Sequence, residues 1–174
     1  MNERRHVAPE VEVRTLRATD REWLLALMEE RWGGPEQVAN GKRFRPADLP
    51  GMVAEVDGVR AGVVVLRIVG ERCEIGLIQS LREGVGVGTA LMTAAIRQAS
   101  ASGCRAVVAV TTNDNVRARG FYERLGFAVR EVRPGAVTES RKLKPTIPLT
   151  GENGTAITDE IEYEMSLEPD GGAT

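Results

Sequence analysis

The 174-residue chain has one histidine, His6. A single imidazole near the N-terminus rules out a histidine-based triad or a zinc site built on histidine. There are two cysteines, Cys73 and Cys104, and no histidine is available to activate either thiol as a nucleophile. Both are read as reduced thiols in a cytosolic interior. Net charge is only −2, so no strong field favours nucleic acid or an anionic membrane, and neither is expected as a partner. Long apolar runs are absent. The longest, residues 61–66 and 106–110, are far too short to cross a bilayer. The first ten residues, MNERRHVAPE, contain no apolar core of a signal peptide. A cytoplasmic location is the expectation. Hydrophobic residues make up 42% of the chain, which supports a globular domain over 10–168, with flexible tails at 1–9 and 169–174.

Val11, Val13 and Leu16 suggest a first strand. Thr19 and Glu22 have capping-box spacing, and Trp23, Leu24, Leu27 and Met28 then follow a helical period. That helix is expected to stop at Trp32, before Gly33-Gly34-Pro35. Residues 37–50 read as a loop with one short helical turn. Strands over 52–56 and 61–69 flank the hairpin signal Asp57-Gly58, and 71–81 follows as their antiparallel neighbour. A helix over 87–102 presents Leu91, Ala94, Ala95 and Gln98 on one face. The unbroken apolar run within 105–111 reads as a buried strand. A helix carrying Ala118, Phe121, Tyr122 and Leu125 comes next, and Phe127 opens another strand. Residues 133–158, broken by Pro134, Pro145 and Pro148, read as irregular. Ile161, Tyr163, Met165 and Leu167 alternate with Glu160, Glu162, Glu164 and Ser166, the pattern of a half-buried strand.

The most informative stretch joins a strand to a helix through Gly84, Gly86 and Gly88. Bare backbone N–H groups at a helix N-terminus form an anion seat. Two familiar phosphate loops do not fit the spacing. A P-loop needs Lys and then Ser or Thr after its last glycine, whereas Thr89 follows Gly88 directly. A dinucleotide fingerprint is G-x-G-x-x-G with a later acid, whereas this loop is G-x-G-x-G, and the nearest later acid, Asp114, lies past the next strand. A second motif follows the next strand: Asn115-x-x-Ala118-x-x-Phe121-Tyr122, ending in Leu125-Gly126-Phe127. Asn115 and Tyr122 are two helical turns apart and so share a face.

Glu83 to Gly88 resembles the Q/R-x-x-G-x-G/A pyrophosphate loop of the GCN5-related N-acetyltransferases (GNATs), with Glu83 at the Q/R position and Arg82 just before it. The second motif resembles the N-x-x-A-x-x-F-Y-x-x-x-G-F segment of the same family. The likeness covers roughly 11–167. EERWGG (29–34), LKPTIPLTGENG (143–154) and DEIEYE (159–164) resemble a bacterial subgroup. The resemblance implies an α/β (α+β) GNAT fold: a mixed, mostly antiparallel sheet of about seven strands flanked by about four helices. The sheet is splayed between its fourth and fifth strands. Acetyl-CoA is implied as cosubstrate, with no metal. Ile78, Gln79, Ser80 and Leu81 would hold the pantetheine arm. Gly84, Val85, Gly86, Val87, Gly88 and Thr89 would hold the pyrophosphate. Asn115 would cap its helix or reach the cofactor, and Tyr122 would protonate the departing thiolate. Glu74, ahead of Asp114, is the expected base. Trp32 and Gly33, with 43–45 and 134–158, are expected to wall the substrate; for Trp32 itself, closing a core edge is the leading expectation. The implied activity is N-acetylation of a small-molecule amine or amino acid by direct transfer. Three alternatives stay open: a non-catalytic acetyl-CoA-binding regulator, acetylation of a protein N-terminus or lysine, and a plain nucleotide-binding domain. A homodimer with the last strand paired across it is also open.

Overall fold

Fifteen helical and strand segments, counting two short 3-10 turns, are ordered around one long hairpin in the computed structural model, which describes residues 8–168. The tails at either end, and His6 with them, lie in part or wholly outside the described residues. The hairpin joins β4 (Gly51–Val56) to β5 (Val59–Val69), with Val56 opposite Val59 across the Asp57-Gly58 turn. To one side lies β1 (Val11–Thr15); to the other lies β6 (Arg72–Ser80), then β7 (Ala106–Thr112). Beyond β7 the order continues with β9 (Glu160–Ser166) and ends at the edge strand β8 (Ala128–Arg133). All pairings in this seven-stranded sheet are antiparallel except β6–β7. A separate two-stranded hairpin is formed by β2 (Gln37–Ala39) and β3 (Lys42–Phe44).

The sheet's two faces carry two cores. On one face Val64 and Leu66 of β5 pack with α2 (Val87–Ala101) and with Tyr122 of α3 (Val116–Arg124). On the other, Val63 and Val65 pack with Leu24, Leu27 and Met28 of α1 (Arg21–Trp32). Burial on both faces explains why β5 reads as a continuous apolar run instead of an alternation. The helix α2 turns Leu91, Met92, Ala95 and Ala99 inward, while Gln98 is exposed, one position off the face expected from sequence.

Other departures have local causes. The helix α1 is not capped by Thr19. A 3-10 turn over Ala18–Asp20 precedes it, and Asp20 accepts the backbone N–H of Arg17 at 2.8 Å. The Asp20 carboxylate is fully buried and also takes Arg14 at 2.7 Å and Arg60 at 2.9 Å. The stretch expected to be irregular contains α4 (Ala136–Leu143), and the loop expected at 37–50 contains β2 and β3. The strand β9 is not half-buried: Glu160 and Glu162 on its supposed solvent face are as enclosed as Ile161 and Tyr163. Arginines from neighbouring strands cover that face, with Arg72 of β6 and Arg133 of β8 at 2.9 and 3.2 Å from Glu162. Because β9 lies between β7 and β8, it has no free edge for pairing across a dimer; β8 is the edge strand.

Candidate active site

β6 and β7 pair only from Arg72–Ala106 to Ile75–Ala109. Beyond that register β6 runs on to Ser80 beside β5, and β7 runs on to Thr112 beside β9. The fourth and fifth strands of the main sheet therefore part, as the family resemblance implied. The parting coincides with a bulge at Gly76, which the β5 register skips between Val65–Leu77 and Leu66–Ile75. A bulge adds bend and twist to its strand and so turns β6 away. Leu81 donates its N–H to Ala61 O at 2.8 Å. By the alternation of an antiparallel ladder, Gln79 and Leu77 also bond towards β5, while the N–H and C=O of Ile78 and Ser80 face the gap, where Ser80 O already accepts Gln79 Nε2 at 2.9 Å. The gap widens into a cleft of about 920 Å³.

One half of the cleft is floored by the glycine loop. Gly84 and Gly86 have φ of 75° and 82°, a left-handed conformation that glycine adopts without steric cost. Gly86 is the N-cap of α2 and offers no side chain to the helix, and the first turn holds no acidic residue. The leading N–H groups of a 15-residue helix are thus left for an anion. A Cβ on Gly88 would stand 3.3 Å from the Phe121 ring, so the missing side chain lets α2 and α3 approach at the cleft. Glu83 at the rim is exposed and faces Arg117 of α3 at 2.6 Å.

The helix α3 supplies the side wall. Asn115 caps it, accepting the N–H of Ala118 at 3.0 Å. Two turns later Tyr122 is 5% exposed, with Phe121, Phe127 and Tyr163 packed at ring centroid distances of 5.5, 5.7 and 5.5 Å. Burial pushes its phenol up to about 12. Tyr122 lines the cleft, and among the described residues its hydroxyl has no hydrogen-bond partner and is not one of the sealed unpaired atoms. The arrangement leaves a phenol that holds its proton on a residue lining the cleft.

The other half is walled by the end of α1, the β2–β3 hairpin and the segment after α4. Trp32 and Gly33 line it, and Trp32 is 36% exposed, which places it on the cleft wall and not at a core edge. Glu74 lines it as well. Its Oε2 takes Arg67 Nε at 2.8 Å and also Arg67 Nη2, while Oε1 has no protein donor among the described residues. Arg67 is held in turn over the Phe44 ring at 5.3 Å. Asp114, the second acid considered, is bonded by Thr112 Oγ1 at 2.5 Å and does not line the cleft. Leu81 and Val85 also turn away, each against a core. The remaining expected residues, Ile78, Gln79, Ser80, Gly84, Gly86, Val87, Gly88, Thr89, Asn115 and Tyr122, all line the cleft. Sequence reasoning reached Lys144 only as part of the broad wall 134–158, and missed Glu160, Gln37 and Asn40; all four line the opposite half. Lys144 lies in a stretch without periodicity, and Glu160 on a face taken for solvent, so neither is singled out by a pattern of its own. Cys73 is buried, its thiol pushed up to about 12 by burial, so it stays an inert thiol; both cysteines are free.

Comparison with known proteins fits this geometry. The family described as acetyltransferase (GNAT) family matches residues 17–127. The Bacillus subtilis (strain 168) protein described as uncharacterized protein YdhI is 37% identical over 140 residues, covering 80% of this chain and 88% of that protein. The IAA acetyltransferase from Bacillus cereus ATCC 14579 has the same fold at a TM-score of 0.67 and 20% identity, covering 91% of this chain and 100% of that one. A GNAT family acetyltransferase from Elizabethkingia anophelis with acetyl-CoA bound superposes at a TM-score of 0.65 and 19% identity, over 90% of this chain and 98% of the other. The chain belongs to the GNAT family of acetyltransferases; it is an N-acetyltransferase by class. Among the described residues no helix is long and apolar enough to cross a membrane.

Proposed function

We propose that this protein moves the acetyl group of acetyl-CoA directly to the primary amine of a small molecule or amino acid, with both bound at once. The observation that carries the reading is the gap between β6 and β7. It has an anion seat and a neutral phenol on one half and a polar, side-chain-walled chamber on the other. The residues fit the cofactor. N–H groups of Val87, Gly88 and Thr89 suit its diphosphate, and the outward backbone groups of Ile78 and Ser80 suit its amide-bearing arm. Bound acetyl-CoA supplies the acetyl group as a thioester: the amine nitrogen bonds to the carbonyl carbon, the carbon–sulfur bond breaks, and the electron pair leaves with sulfur.

Each protein group then has one task. The Ile78 N–H faces the gap where charge builds on the thioester oxygen. Tyr122 gives its proton to the leaving sulfur, and the raised phenol keeps that proton available at neutral pH. Glu74 takes the amine's proton through Oε1, directly or by way of water, while Arg67 fixes the carboxylate through Oε2. Neither buried cysteine forms an acyl-enzyme. The chamber walls, drawn from three separate chain segments, favour a small acceptor over a protein surface. A thiol-release assay with acetyl-CoA across a panel of amines tests the reading. Turnover with at least one small amine supports it; cofactor binding with no release on any amine leaves a non-catalytic binding module instead.

A further inference from the structure

Six charged side chains line the acceptor half of the cleft: Glu30, Arg31, Arg67, Glu74, Lys144 and Glu160. Five of them are neutralised by a neighbour. Arg31 lies 3.3 Å from Glu30, Arg67 binds Glu74, and Glu160 takes Arg133 at 3.1 Å. Lys144 differs. Among the described residues it has no carboxylate within 4.0 Å. Glu36, the one acid that acts on it, is engaged by Arg43 at 3.5 Å.

Lys144 is also 8% exposed. Its Nζ donates to Trp32 O at 2.5 Å, at the C-terminal turn of α1. That bond explains its anchoring, since a cation suits a helix C-terminus. It does not use the ammonium's other two donors. Burial lowers the affinity of Nζ for its proton, with Glu36 opposing only in part. A buried cation without a counter-charge is unfavourable, and an arriving anion would restore it.

We infer that the acceptor carries a carboxylate as well as its amine, and that Lys144 Nζ seats this carboxylate. The substrate class is thus an amino acid or a related amino-carboxylate, not a simple amine. The inference rests on the proposed acetyl transfer. In that reading Glu74 serves the amine end of the acceptor and Lys144 its acid end, both from the same half of the cleft.

The test compares each member of a panel of amino acids with its own carboxamide. With the wild-type protein and acetyl-CoA, kcat/KM is expected to favour the acid by about ten- to a hundredfold, the range for a charge-assisted hydrogen bond. Lys144→Met should collapse that ratio towards one, and Lys144→Arg should retain part of it. A lysine that merely anchors α1 would lower both members of each pair equally, which would overturn the inference; so would a wild-type preference for the carboxamide. The wild-type ratio decides the matter even if Lys144→Met does not fold. If no amine is acetylated, the proposed activity falls, and the carboxylate seat is judged by calorimetry on the coenzyme A-loaded protein. There, N-acetyl amino acids should bind at least about tenfold tighter than their amides, and equal binding overturns the seat.

Discussion

Tyr122 shows how packing fixes the chemical state of one group. Three aromatic rings surround it, it lines the cleft, and burial pushes the phenol up to about 12. An acid that must give up a proton has to hold it first, and burial achieves this because the phenolate is the form that loses hydration. Tyr122→Phe removes the proton and leaves the ring packing. The expected result is a kcat lower by about ten- to a thousandfold, with coenzyme A affinity unchanged. Steady-state kinetics with a calorimetric Kd checks both parts, and an unchanged kcat would remove Tyr122 from the reaction. The same burial fixes a sign for stability. Tyr122 and Cys73 are raised from 10.0 and 9.0 to about 12. The folded state therefore keeps their protons where the unfolded chain releases them. Their contribution is whole below pH 9 and is lost as pH rises towards 12. Denaturant melts between these limits should show falling stability, and Cys73→Ala should flatten the decline.

At the scale of elements, the residues just before α1 and just before α2 treat negative charge in opposite ways. Before α1, Asp20 is sealed under Arg14 and Arg60, whose guanidinium groups, with the Arg17 N–H, hold its carboxyl far below the usual range despite burial. Asp20→Ala leaves two arginines facing an emptied site and should cost about 2–4 kcal/mol in denaturant melts. Acid acts in the same direction: stability from Asp20 is present above its unfolded value and falls as pH drops through the folded one. Before α2, nothing caps the helix, and Gly86 keeps the N–H groups bare. Gly86→Ala forces a side chain into a left-handed conformation, at about 1 kcal/mol, and should weaken coenzyme A binding while affinity for pantetheine, which lacks the diphosphate, is kept. Equal loss for both ligands would count against the anion seat. The two termini also differ in legibility. The glycine loop is visible in sequence because its function needs absences at fixed spacing. The Asp20 cluster is hidden because its partners, Arg14 and Arg60, are set by strand pairing.

Across the whole molecule, what could be read in the sequence was what is periodic and local. The stop of α1 at Trp32, the Asp57-Gly58 hairpin, α2, β7 and α3 each carry their own pattern. The helix α4 and the β2–β3 hairpin do not, because they are short and take their order from the parts they wall in. The acidic face of β9 misled for a related reason. Alternation tells which residues share a face, and only the tertiary neighbours tell whether that face is wet. Here Arg72 and Arg133 arrive from strands far away in sequence. The site divides along the same line. Its half lined by the glycine loop and α3 was legible as two motifs. Its acceptor half, where Lys144 and Glu160 stand, is assembled from segments that only the fold brings together.

The most direct measurement is the distance between the coenzyme A sulfur and the Tyr122 hydroxyl oxygen in a crystal structure of the complex. The account predicts about 3–4 Å, hydrogen-bond reach for a sulfur acceptor, with the diphosphate against residues 84–89. A sulfur lying outside the gap between β6 and β7, or a cofactor bound elsewhere on the protein, would contradict it.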